Sequence, residues 1–245
     1  MTLTCENMRK VSDSKEFEKL YVDLRRSEKR IYSDEEVAWL PDIDEHHTYK
    51  KEWEIRKASC EKLVRYLRSK NRPLKILEVG CGNGWLSYQL SQIESSYVIG
   101  LDVNLCELQQ AERVFMAIPN LAFVYGDIDS ASLGNQKFDI VVFAAAIQYF
   151  DSLKYIVRKV FQRLDEKGEI HITDTHFYSS GELDSARQRS SEYFQAKGFG
   201  RMEDFYFHHS MEELTDFRYS MLYNPNSVVN KVLGTKNPFP WICIK

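Results

Sequence analysis

Nowhere do the 245 residues contain a run of the roughly eighteen uncharged apolar residues that a membrane-spanning helix needs. The first ten residues, Met1 to Lys10, lack an apolar segment after a basic start, so they do not read as a secretory signal and the expected location is the cytoplasm. Positive charge is not in excess: 33 Lys and Arg stand against 36 Asp and Glu, a net charge of −3, so no global basic field gathers nucleic acid. The five cysteines (Cys5, Cys60, Cys81, Cys106, Cys243) include no Cys-x-x-Cys pair, and an odd, scattered set frames neither a disulfide scaffold nor a zinc site. His46 and His47 are adjacent, point opposite ways and have no evident third ligand, so no metal is expected. Internal repeats and low-complexity tracts are missing too. What remains is a chain, 43% hydrophobic, able to bury one α/β core with an elaboration rather than two full domains.

The rest of the chain is organised around Lys75 to Asp102. Lys75-Ile-Leu-Glu-Val79 is a short apolar run that breaks into Gly80, Gly82 and Gly84, and Trp85-Leu-Ser-Tyr-Gln-Leu90 continues with helical apolar spacing. The pattern predicts strand, tight loop and helix, with glycines free to take positive φ and the helix start offering unpaired N–H groups. A second strand, Tyr97-Val-Ile-Gly-Leu-Asp102, ends in an acid about twenty residues beyond the loop, where a Rossmann-like crevice meets a ribose hydroxyl. A dinucleotide fingerprint would need glycine where Trp85 stands, and an indole there crowds a pyrophosphate. NAD and FAD are therefore disfavoured.

Leu77-Glu-Val-Gly-Cys-Gly-Asn-Gly84 followed by Gly100-Leu-Asp-Val-Asn104 resembles the first two motifs of the class I S-adenosylmethionine-dependent methyltransferases. The resemblance covers about Pro73 to Gly168. It implies an α/β fold, a Rossmann-like and mostly parallel twisted sheet of about seven strands flanked by helices; it says nothing about the first forty residues, whose own pattern reads as a helical N-terminal extension over residues 1–47 before a methyltransferase domain over 48–245. It implies S-adenosyl-L-methionine as cofactor and S-adenosyl-L-homocysteine as product. Around that cofactor it places Glu78, Gly80, Cys81 and Gly82, then Asp102 and Val103, then Asp127 and Ile128 after the third strand (Leu121 to Tyr125), with Asp127 receiving the adenine N6 hydrogens, and Ala144 after the buried strand Phe138 to Phe143. Where many small-molecule methyltransferases carry paired histidines, this chain reads Gln148-Tyr149, which removes the easiest general base. The Asn/Asp-Pro-Pro-Tyr string used on planar nitrogens is absent as well.

Before the loop, Asp13-Ser-Lys-Glu16 has capping-box spacing ahead of a helix to about Ile31, and Ser33-Asp-Glu-Glu36 repeats the signal ahead of a short helix ended by Pro41. These pieces form either a lid or packing. Tyr49, Trp53, Arg56, Cys60, Leu63 and Leu67 then fall on one stripe of one long helix. Arg56 on that stripe needs an anion, because a guanidinium stays charged and its desolvation is costly. Either a structural acid pairs with it, or the helix covers the cofactor with Tyr49, Trp53 and Arg56, the arginine facing the methionine carboxylate.

Downstream, a helix from Leu153 to Leu164 closes at Glu166-Lys-Gly168, and Glu169 to Thr173 is the fifth strand. It runs into Asp174-Thr-His176, where the resemblance puts substrate-facing groups; the pair either holds a proton-accepting histidine, His176, or satisfies a loop. The last third is rich in aromatics and histidines, and Tyr206, His208 and His209, with Gln148, suit the roof of a substrate site. Trp241-Ile-Cys-Ile244 reads as a buried strand. The expected function is methyl transfer from S-adenosylmethionine to a small-molecule acceptor, with no nucleic acid or membrane partner. The alternatives are a non-catalytic module that binds S-adenosylmethionine or S-adenosylhomocysteine, separable by turnover, and a nucleotide-dependent oxidoreductase, opposed by Trp85.

Overall fold

Five apolar runs rich in Ile, Val and Leu become parallel strands: β1 (Leu74–Val79), β2 (Ser96–Asp102), β3 (Leu121–Tyr125), β4 (Phe138–Ala144) and β5 (Leu164–Thr173). In the computed structural model, which describes residues 5–227, 230 and 237–245, they join β6 (Tyr219–Tyr223) and β7 (Trp241–Ile244) in one seven-stranded sheet. Its order is β3-β2-β1-β4-β5-β7-β6, with β7 antiparallel to both β5 and β6. The chain works outward from β1 to β3, then returns to place β4 on the other side of β1. That reversal is the switch point where open α/β sheets bind ligands, beyond the carboxyl ends of the strands.

Side chains alternate across the sheet, so each strand feeds two cores. Ile76, Val98, Ile140 and Val142 pack on one face under α3 (Lys50–Arg68), α4 (Trp85–Ser91) and α5 (Leu105–Phe115). Leu77, Ile99, Val141 and Phe143 pack on the other against α6 (Leu153–Phe161). The layers are those of the Rossmann-like sheet that the sequence predicts. Local signals hold as well. Ser33 caps α2 (Asp34–Trp39) with a complete capping box, and the Asn104 side chain accepts the Glu107 N–H to start α5.

Two boundaries differ from the sequence reading. α1 spans Cys5–Ser27 rather than starting at Asp13 and reaching Ile31, so Asp13 lies inside the helix, where its side chain falls outside the described set. β5 begins at Leu164, not Glu169: Phe138 pairs with Leu164 and Ile140 with Glu169, so residues 165–168, read as a turn, are taken up as an irregularity within the strand.

A third cluster sits above the carboxyl edge of the sheet. Leu24 of α1 packs with Phe194 of α7 (Leu183–Ala196) and with Met202, flanked by Phe17 and Tyr206. The Glu18 carboxylate accepts the free N–H groups of Leu105 and Cys106 at 2.8 and 3.2 Å, tying α1 to the start of α5. The helical extension therefore roofs the crevice.

Away from that edge, Glu169 anchors β5. Its carboxylate meets Lys70 and Lys245, each at 2.7 Å, and accepts the Tyr66 hydroxyl. The Trp241 indole N–H donates to His171 Nδ1 at 3.1 Å, which leaves Nε2 as the protonated nitrogen facing Glu169 at 3.2 Å. Glu169, His171 and Cys243 lie close enough together to suggest metal ligation, but both imidazole nitrogens are engaged and two lysines neutralise the acid. The partners hold the carboxyl far below its ordinary range despite its burial. Glu169→Gln removes the shared acceptor of Lys70, Lys245 and His171 while the half-exposed Lys245 can turn to water, and is expected to lower the unfolding free energy by about 1 to 2 kcal/mol, read by urea denaturation.

Candidate functional site

The loop between β1 and α4 is built from left-handed backbone. Gly80 and Gly84 both have φ of 76°, which glycine alone adopts at low cost. Space also requires them: a Cβ on Gly80 would lie 2.6 Å from the Ala146 Cβ, and one on Gly84 would lie 2.6 Å from the Phe123 ring. Asp102 at the end of β2 secures the loop, accepting the Gly82 N–H at 2.7 Å and the Asn104 N–H at 2.8 Å. Each oxygen keeps a free lone pair for a further donor.

Three cavities open around this loop. One, of about 210 Å³, runs between Asp102, Val103, Asp127 and Ile128, with Phe17 and Tyr21 of α1 and Tyr149 and Phe150 as its aromatic walls. A second, of about 100 Å³, lies between the loop and α3, lined by Trp53, Arg56, Glu78, Gly80, Cys81, Gly82 and Ala144. Trp85 is buried here, edge-on to Trp53 at 5.2 Å between centroids. A third, of about 580 Å³, lies under α1 and α7, lined among others by Arg25, Gln148, Asp174, His176, Tyr206 and His208. All three share Ala145, whose φ of 52° turns the chain sharply off β4.

Carboxyl groups crowd the loop, and Arg25, Arg30 and Arg56 line the cavity beside it. Burial pushes Glu78 up to about 8, although the Ser87 hydroxyl donates to it at 2.5 Å. Burial, helped by the Asp102 charge, lifts Glu107 to about 7, and burial raises Asp102 against the backbone N–H groups that hold it. The free lone pairs of Asp102, the aromatic-walled slot and the guanidinium of Arg56 are groups of the kind an S-adenosyl cofactor would need.

Arg56 has a structural acid as its partner and also borders two of the cavities. Its guanidinium meets Glu52 one turn earlier at 3.0 Å. Arg30 holds the same carboxylate by two bonds of 2.9 and 2.6 Å. Burial alone would raise Glu52; the bonds from Arg30 and the Arg56 charge outweigh it and hold the acid at about 2.

Tyr49 and His209 fall outside the three cavities. The Tyr49 hydroxyl donates to the Glu28 carbonyl at 2.5 Å and its ring lies under the Arg30 guanidinium. His209 is buried, with Nε2 3.1 Å from the Ile147 carbonyl, and faces a separate cleft. His176 stands largely exposed at the rim of the large cavity, its ring tilted against that of Phe239 at 4.6 Å between centroids, and partial desolvation of the imidazole, with Arg189 nearby, lowers its basicity. The sequence reading left unassigned Phe17, Tyr21 and Arg25 of α1, and Tyr149. Helical spacing of Phe17, Leu20, Tyr21 and Leu24 marks an apolar face, but spacing does not say what the face covers.

Comparison with known proteins agrees with this geometry. The methyltransferase domain family matches residues 70–220. The chain is 32% identical over 135 residues to a malonyl-[acyl-carrier protein] O-methyltransferase of Acetivibrio thermocellus, covering 52% of this chain and 47% of that protein. It is 27% identical over 124 residues to malonyl-[acyl-carrier protein] O-methyltransferase 1 of Ilyobacter polytropus, covering 50% and 46%. The chain thus spans about half the length of the curated relatives it matches. In fold it is similar to the plantazolicin methyltransferase BpumL, with a TM-score of 0.55 at 17% identity, over 96% of this chain and 98% of that one.

The loop's packing is directly testable. Gly84→Ala adds a Cβ in a left-handed position against Phe123 and Ala111, and is expected to lower stability by about 2 kcal/mol or more in chemical denaturation.

Proposed function

Because the chain belongs to the class I S-adenosylmethionine-dependent methyltransferase family, we propose that it transfers the methyl group of S-adenosylmethionine to a small-molecule acceptor held beneath α1 and α7. One observation carries the reading: the slot for the nucleoside, the slot for the amino-acid end and the large cavity converge on Ala145. When bound, S-adenosylmethionine supplies an electrophilic methyl group on a sulfur that leaves as a neutral thioether. The protein's residues need only bind, orient and exclude water.

In this reading Asp102 takes the ribose hydroxyls, Asp127 and Ile128 the adenine, the glycine loop with Trp53 and Arg56 the methionine end, and Gln148, Tyr206 and His208 face the acceptor. Within the extension over residues 1–47, α1 acts as a roof on a domain of residues 48–245, since its Phe17, Tyr21 and Arg25 line the cavities. A cavity of about 580 Å³ has the size of a small-molecule site. BpumL, solved with desmethylplantazolicin analogues and S-adenosylhomocysteine, supports a cofactor and acceptor arranged on this fold. Among the described residues no helix is long and apolar enough to cross a membrane.

The test is incubation with methyl-labelled S-adenosylmethionine and a metabolite extract, read by mass spectrometry. A product heavier by one methyl group is expected; cofactor binding without any such product would favour a binding module instead.

Two further outcomes separate the parts of the site. Glu78 and Glu107 hold protons near neutrality, and a bound cation favours their ionised forms, so S-adenosylmethionine binding should release protons and tighten as pH rises from 6 to 8. Calorimetry in two buffers of different ionisation enthalpy reads the release directly, and NAD should show no binding. Arg56→Met leaves Glu52 paired with Arg30, so apo stability should change by about 1 kcal/mol or less. Cofactor affinity should fall roughly tenfold, and the variant should lose the wild type's discrimination against decarboxylated S-adenosylmethionine.

A further inference from the structure

The end of β5 repeats the conformation seen at the end of β4. Asp174 has φ of 55° beside Ala145 at 52°, and the Ala145 N–H donates to the Thr173 carbonyl at 3.0 Å. Two neighbouring residues with side chains in left-handed backbone mark a site where strain serves function. The Asp174 carboxylate is aimed by a relay: the Asn237 amide donates to the Ser59 oxygen at 2.8 Å, and the Ser59 hydroxyl donates to Asp174 Oδ1 at 2.6 Å. Among the described residues, Oδ2 has no hydrogen-bond partner. Since no fully buried side-chain polar atom among the described residues lacks a partner, Oδ2 opens into the large cavity that Asp174 lines.

The other candidates there are spent or unheld. The Gln148 amide donates to the Ala145 carbonyl at 2.7 Å and accepts the Thr175 hydroxyl at 3.0 Å. His176 is exposed at the rim.

We propose that Asp174 is the proton acceptor of the methyl transfer and that the methyl acceptor is a phenol or enol; this deepens the methyltransferase reading and rests on it. The hydroxyl's O–H bond breaks, its proton passes to Oδ2, and the electron pair left on oxygen forms the new bond to the methyl carbon, while the pair of the broken sulfur–carbon bond stays on sulfur. Burial raises Asp174 to about 6, against the Arg56 charge and the Ser59 bond, with Glu52 adding to the rise; Cys60 is the remaining titratable group facing it from α3. The carboxylate is therefore ionised at neutral pH and more basic than an exposed one. Such a base suits an acidic hydroxyl, not an aliphatic alcohol. A carboxylate acceptor is already ionised at neutral pH and leaves the aimed Asp174 oxygen without a proton to take. An ammonium acceptor meets Arg25, Arg30, Lys51, Arg56 and Arg189 around the same cavity, whereas Tyr178, Tyr206 and Phe239 offer faces to a planar ring.

The test pairs wild type with Asp174→Asn, which still accepts the Ser59 hydroxyl and tolerates positive φ. Both are incubated with S-adenosylmethionine and a panel of phenols, enolic diketones, carboxylic acids and primary amines. Wild type is expected to methylate phenols or enols with a rate that rises through about pH 6, and the variant to lose about 100-fold or more while binding S-adenosylhomocysteine within twofold. Stability gives an independent readout. A carboxyl whose folded pKa is raised costs stability above that pKa, so Asp174→Asn should melt higher than wild type at pH 8, with the gap closing by pH 4. Ser59→Ala, which removes a bond to the ionised form, should move the acid limb of the rate profile to higher pH.

The proposal is overturned if Asp174→Asn keeps turnover within a few-fold, if it melts below wild type at pH 8, or if only acids or amines are methylated. It is equally overturned by a wild type that binds S-adenosylhomocysteine yet methylates no phenol or enol in the panel. A wild type that fails to bind S-adenosylhomocysteine contradicts the methyltransferase reading itself.

Discussion

The Asp102 carboxylate, accepting one N–H from the glycine loop and one from the start of α5, sets the geometry on which the site depends. It fixes the end of β2 against the end of β1, so Gly80, Gly82 and Gly84 keep their left-handed turns, and α4 begins at Trp85 with its indole against Trp53. The same acid lies near buried Glu78 and partly buried Glu107, both of which desolvation pushes toward their protonated forms. That penalty on the ionised forms is relieved by a positive ligand nearby.

The crevice becomes a chamber only through elements outside the sheet. α1 contributes Phe17 and Tyr21 to the cavity beside Asp102 and Arg25 to the other two cavities, and Glu18 pins it to α5. α3 presents Trp53 and Arg56 to the cavity beside the glycine loop and Ser59 to Asp174, so one helix serves both sides of the crevice. Salt-bridged Arg30, Arg56 and Glu52 form the wall where the two sides meet. Water exclusion, needed when the cofactor brings its own leaving group, depends on these additions and not on the sheet.

The sheet was legible because its signals are local. Val79 to Gly84, Asp102 and Asp127 stand at fixed distances along the chain, and burial on both faces writes Phe138 to Phe143 as an unbroken apolar run. Capping at Ser33 and Asn104 was equally local. The roof was not legible, since contacts such as Arg25 to Tyr149 join residues 124 apart, and no periodicity encodes them. Tyr49 shares a helical stripe with Trp53 and Arg56 but points to the Glu28 carbonyl, which the stripe alone could not show. The adjacent His208 and His209 were read as one feature, whereas the backbone sends one to the large cavity and buries the other. The start of β5 at Leu164 was hidden because Glu166-Lys-Gly168 has turn composition inside a paired strand.

The central claim is that one S-adenosyl cofactor spans the two slots with its sulfur beside Ala145, facing the large cavity. A crystal structure of the protein grown with S-adenosylhomocysteine tests this most directly. The account predicts ribose hydroxyls on Asp102, adenine between Asp127, Ile128 and the α1 aromatics, and the amino-acid end beside Arg56. Density for the ligand in the large cavity under α7, with Asp102 left solvated, would contradict it.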